Sequence, residues 1–110
     1  MKPKFEDVER EIRRLAHEHP DRTGPGLYES NGEPCCIFGH AFYSLGVPLS
    51  MLDKWDAEWD TDATTPTDFT GVDDECWAKR WMRRIQANND YGDTFLQSVV
   101  EADDWLIRHG

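Results

Sequence analysis

The chain has 110 residues, with 22 Asp and Glu against 12 Lys and Arg, a formal net charge of −10, 38% apolar residues, five Trp and five Phe. That length fits a single domain, 1–110, and the aromatic content suffices for one core, which excludes wholesale disorder. No apolar run approaches the ~20 residues of a spanning helix, and the acidic balance opposes a phosphate backbone, which is bound by clustered Lys and Arg.

Phe5, Val8, Ile12 and Leu15 recur at helical spacing, and Glu6→Arg10 and Glu9→Arg13 fall at i,i+4 in the favourable order. His17 and His19 lie in the last turn, and Pro20 stops this first helix. Asp21 to Pro34 reads as loop, rich in breakers, with Leu27 and Tyr28 folding back onto the core. Cys36 to Leu45 is the most apolar segment and reads as the central helix. Gly46 and Pro48 end it. Gly39 costs that helix about 1 kcal/mol relative to Ala, so another helix is expected to cross closely there. Ser50 and Asp53 mark the start of a short amphipathic helix with Met51, Leu52, Trp55 and Trp59 on it. Asp60 to Gly71 is a polar loop.

The next helix is expected from near Val72, with Asp73, Asp74 and Glu75 in its first turn. Trp77, Ala78, Trp81, Met82 and Ile85 would form its buried face, and Lys79, Arg80, Arg83 and Arg84 its basic one. Asn88, Asn89, Asp90 and Gly92 read as a turn. Thr94 with Gln97 is a capping box for the last helix, whose apolar face runs through Phe95, Leu96, Val99, Ala102 and Leu106. No segment reads as a strand. The expected fold is all-α, a small irregular bundle of about five helices with two long loops, its core holding Phe38, Phe42, Trp81 and Phe95.

The charge is concentrated. Residues 51–75 hold nine carboxylates against Lys54, a net of −8, whereas the remainder is close to neutral. Such a local excess makes a directional field that steers a basic partner. The basic helix face at Lys79, Arg80, Arg83 and Arg84 is expected to meet this acidic stretch, within the chain or between subunits, with Glu75→Lys79 as one pair.

Two stretches are distinctive together. Asn31 to Ala41 (NGEPCCIFGHA) is a turn followed by a Cys-x-x-Gly-x-Ala helix start at Cys36, Gly39 and Ala41, and Asn89 to Thr94 (NDYGDT) leads on to Val99 and Ala102. They resemble a group of small actinobacterial and actinophage proteins with a Cys-, Ala- and Gly-rich central helix and a later Asn-Asp…Thr…Val helix start. The resemblance implies a related fold and a phage origin, and it brings no activity with it.

Little here points to catalysis or to a cofactor. Cys36 and His40 are i,i+4 and would share a helix face. With Cys35, His17 or His19 they would offer thiolate and imidazole to a metal such as zinc, or alone a thiol nucleophile and its base. Against this stand the absence of a Cys-x-x-Cys pair and the apolar setting, which raises a thiol's pKa. Asp60, Asp62 and Thr64 begin like a calcium loop, but Thr65 and Gly71 stand where Gly and Glu are required. The opening MKPKFEDVER holds no apolar leader, so a cytoplasmic protein with unbridged Cys35, Cys36 and Cys76 is expected.

The expectation is therefore a small acidic protein-binding module, phage-encoded, that docks on a basic host protein surface through Asp53, Trp55, Asp56, Trp59 and Asp60. A DNA mimic is one variant of it. No membrane, nucleic acid, cofactor or metal is called for. The alternative is a thiol- or metal-dependent enzyme or sensor centred on Cys36 and His40.

Overall fold

The computed structural model describes residues 2–24, 27–59, 64–69 and 76–109, the side chains of Glu58 and Trp59 excepted. Among them are five helices, α1 (Phe5–Glu18), α2 (Ile37–Ser44), α3 (Leu49–Trp59), α4 (Trp77–Asp90) and α5 (Phe95–His109). The fold is all-α apart from one small hairpin, β1 (Glu29–Ser30) with β2 (Glu33–Pro34), between α1 and α2.

The stripe of α1 turns inward as its spacing requires, and Phe5, Val8, Ile12 and Leu15 are all buried. The helix closes at His19, whose N–H donates to the Leu15 carbonyl. α2 starts under Cys36, whose Sγ accepts the Gly39 N–H, a weak thiol version of the usual hydroxyl cap. Gly46, at φ +97°, terminates it in the left-handed conformation open to glycine. Among the described helices α2, at eight residues, is shorter than α3, which has eleven.

The hairpin is a departure from the expected loop. Asn31 and Gly32 both take positive φ (55° and 80°), the combination that a two-residue type I′ turn demands. Glu29 pairs with Pro34 and Ser30 with Glu33, and the Glu29 carboxylate accepts the Gly32 N–H at 2.7 Å. The dipeptide Asn31-Gly32 is itself the hairpin signal. Breaker composition alone does not distinguish this turn from an open loop.

The close approach expected at Gly39 is present, but the partner is this hairpin segment rather than a crossing helix. A Cβ on Gly39 would lie 2.0 Å from the Tyr28 carbonyl oxygen. Tyr28 itself is fully buried, whereas Leu27 is exposed.

α4 begins at Trp77, under a Cys76 cap whose Sγ accepts the Ala78 N–H, and not near Val72. Asp73, Asp74 and Glu75 lie outside the described residues, so the expected pair Glu75→Lys79 does too. α4 also runs on through Asn88 and Asn89, and the turn is Tyr91-Gly92. Helix continues through the asparagines because their side chains are used in the packing. Asn89 is completely buried, its Oδ1 accepting the Ile37 N–H and its Nδ2 donating to the Asp93 carbonyl. The capping box of α5 is formed in both directions between Thr94 and Gln97.

α5 lies along α4 and packs on α1, while α2 joins α1 to α3 and the hairpin. The molecule measures 38 × 34 × 21 Å, so its short dimension is two helix diameters. Phe38, Phe42, Trp81 and Phe95 share the core with Ile12, Tyr28, Leu52, Met82 and Ile85, all fully buried. Two residues assigned to buried faces are on the surface instead: Trp77 is 50% exposed and Leu96 is 42% exposed. No helix among the described residues is long and apolar enough to cross a membrane.

Candidate functional site

The α3 residues expected to form a docking face point in different directions. Asp53 is exposed. Trp55 is buried, edge-on to Phe42 with ring centroids 5.5 Å apart. The Asp56 carboxylate accepts the backbone N–H groups of Tyr28 (2.8 Å) and Glu29 (3.1 Å), fastening the hairpin to α3. Burial pushes its pKa up, against the pull of those two hydrogen bonds. Trp59 belongs to α3, but its side chain, like the whole of Asp60, lies outside the described residues. Spacing along α3 places Trp55 and Asp56 on adjoining faces. It carries no information that Phe42 would cover Trp55 or that the hairpin's N–H groups would reach Asp56.

Cys36 and His40 are the centre of the alternative reading. Cys36 is fully buried, and burial pushes its thiol up to about 12, the reverse of what a nucleophile or a metal-bound thiolate requires. His40 is half-buried, packed edge-on against Phe95 at 5.7 Å. Burial, with Arg22 and His19 nearby, pulls its pKa down to about 4. Among the described residues no three His, Cys, Asp or Glu side chains are grouped to hold a metal. The calcium-like positions Asp60 and Asp62 lie outside the described residues.

On the basic face of α4, Arg80 and Arg84 turn to α5, while Asp60, Asp62, Asp73, Asp74 and Glu75 of the acidic stretch expected to meet this face lie outside the described residues. Arg84 forms a two-pronged pair with Glu101 (2.7 and 3.0 Å) and, like Arg80, stacks 5.2 Å over Trp105. Arg84 holds the Glu101 carboxyl well below the usual carboxylate range, at about 2. Lys79 stands 5.2 Å over the Phe69 ring. Arg83 is exposed and, with Lys2 and Lys79, lines a polar recess beside the 64–69 loop.

A groove of about 300 Å³ combines aromatic surface with negative charge, the properties expected of α3. It runs between the start of α1, the 68–69 loop and the start of α4, lined by Phe5, Glu6, Glu9, Asp68, Phe69, Cys76, Trp77 and Ala78. The 68–69 loop is held beside α1 by the Asp68 N–H, which donates to the Pro3 carbonyl at 2.8 Å. Phe5 stacks on Phe69 at 5.8 Å and meets Trp77 edge-on at 5.3 Å.

Trp77 is the first residue of its helix. Its half-exposed ring forms one wall. Arg10 pairs with Asp7 rather than with Glu6, which keeps the Glu6 carboxylate available at the rim. Glu9 is shared with Arg13 at 3.1 Å. The helical stripe identifies Phe5, but nothing in the polar 60–71 stretch singles out Phe69, and helical spacing places Trp77 on the buried face of its helix. The available signal was the position of Trp77 at a helix start, directly after a run without periodicity. No family model, curated protein or solved structure matches this chain.

Proposed function

We propose that this is an acidic protein-binding module, phage-encoded, that docks on a basic host protein surface, and that the groove at Trp77 receives a Lys or Arg side chain of that surface. The observation that carries this reading is the half-exposed Trp77 ring set beside Phe5 and Phe69 under a rim of Glu6, Glu9 and Asp68. An aromatic face attracts a cation through its quadrupole, and partial desolvation strengthens that attraction. Carboxylates at the rim steer the encounter, while the aromatic wall supplies the lasting contact. The excess of acidic residues in 51–75 adds to the same long-range field.

The test is capture from an actinobacterial lysate followed by cross-linking and mass spectrometry, with wild type beside Trp77→Ala and Glu6→Gln. A true partner is cross-linked through a basic segment to the α1 start or the α4 start. Its recovery falls with added salt, and Trp77→Ala weakens it by about 2 kcal/mol or more. Equal recovery by wild type and Trp77→Ala overturns the assignment to the groove. Loss with Asp53→Asn and Asp60→Asn alone would move the docking surface to α3.

A further inference from the structure

A second and larger groove, of about 630 Å³, opens on another part of the surface. It lies between the loop after α1, the hairpin and α2, and is lined by Arg22, Thr23, Ser30, Asn31, Glu33 and His40, among others. We propose that it binds a phosphate-bearing small molecule, with Arg22 as the principal anion contact and His40 as a second donor once protonated. The reading is independent of the proposed protein docking.

Three elements hold the groove in shape. The Arg22 carbonyl accepts the Phe95 N–H at 2.8 Å, so the start of α5 pins the backbone beneath the guanidinium. Gly24 lies against the Cys35 carbonyl so tightly that a Cβ would come within 2.0 Å of its oxygen, joining the loop to the hairpin's exit. His40 is set by its contact with Phe95.

In a chain of net charge −10, Arg22 is an arginine with no ion pair among the described residues. It stands close enough to His40, with His19, to disfavour the imidazolium. An arginine without a carboxylate partner is what an oxyanion neutralises. Thr23, Ser30 and Asn31 add neutral hydroxyl and amide groups from two directions. Glu33, on the same lining, would accept from hydroxyls on the remainder of the ligand. The volume falls in the range of small-molecule sites and exceeds what a bare phosphate ion fills.

The experiment is a nitrogen–proton NMR titration of the full chain with ribose 5-phosphate, with ribose and inorganic phosphate as separate arms. Ribose 5-phosphate should give saturable shifts at Arg22, Thr23, Ser30 and Asn31, ribose none, and inorganic phosphate the same pattern more weakly. The titratable and charged groups that act on His40 are Arg22 and His19 on the α1 side, and Glu33 of the hairpin shares the groove lining. Filling the site should raise the His40 titration midpoint from its low starting value, since the ligand offsets Arg22. Arg22→Gln should weaken binding at least about tenfold, as expected for a lost charge-assisted hydrogen bond. Its fold should persist, because the structural contact is made by the backbone. Arg80→Gln, on α4, should leave binding unchanged. Absence of saturation by about 10 mM, or binding equally reduced by both variants, overturns the proposal.

Discussion

His40 lies where the core meets a polar groove, and its environment favours the neutral ring. Unfolded, it takes up a proton near its ordinary value of 6.5, but folded it does so only near 4. Between those values the unfolded chain binds the extra proton, so acid favours unfolding there. His40 therefore contributes stability that is complete above about pH 6.5 and lost as pH falls towards 4. Asp56, whose pKa is raised by burial, works in the opposite sense. Urea melts of wild type and His40→Gln across this range should show a steeper acid loss in wild type. Parallel curves would mean that the imidazole is not the responsible group. Helical spacing places His40 on one face with Cys36. It does not predict Arg22 and His19 beside it, because a loop of unspecified path brings them there.

At the level of elements, α2 and the hairpin form one unit. Asp56 accepts two hairpin N–H groups, Cys35 N–H donates to the Tyr28 carbonyl, and Gly39 admits that same carbonyl to the helix surface. Helix propensity alone makes Gly39→Ala stabilising by about 1 kcal/mol. The contact here is backbone, which has no flexible end to move aside, so the opposite sign is expected. Gly39→Ala should lower stability by about 1–3 kcal/mol, the usual range for overpacking. A thermal melt decides the sign, and an increase in melting temperature would show that the hairpin yields freely.

The same unit explains which parts of the fold could be read in advance. Periodic stripes on α1 and α5 and the Thr94–Gln97 box were legible because each rests on residues a few positions apart. The start of α4 was not, since the Cys76 thiol serves as the cap where a hydroxyl is normally sought. The inward turn of Trp55 was equally hidden, because it depends on a partner element distant in sequence.

Across the whole molecule, three helices are clasped at one point. Asp103 of α5 accepts Arg13 of α1 at 2.9 and 3.2 Å and the Trp81 indole N–H of α4 at 2.8 Å. Arg13 also lies 4.8 Å over the Trp81 ring. The ion pair is partly exposed, so its Coulombic worth is small. The indole hydrogen bond matters more, because Trp81 is fully buried and its N–H needs a partner. Asp103→Ala should destabilise by about 1–3 kcal/mol, and most of that loss should survive at high salt. Melts at low and high ionic strength separate the two contributions, and a loss abolished by salt would assign the clasp to charge alone.

Cys35 and Cys36 are neighbours in the chain with opposite accessibility: Cys35 is partly exposed, and Cys36 is sealed beneath the hairpin as the cap of α2. Alkylation of Cys35 requires only a local opening, whereas alkylation of Cys36 requires the helix start to come apart. The ratio of the two labelling rates therefore measures, at a single peptide bond, how much free energy separates a fluctuation of the surface from a breach of the interior. A ligand held by the Arg22 groove should slow the first reaction, and a mutation in the core should accelerate the second.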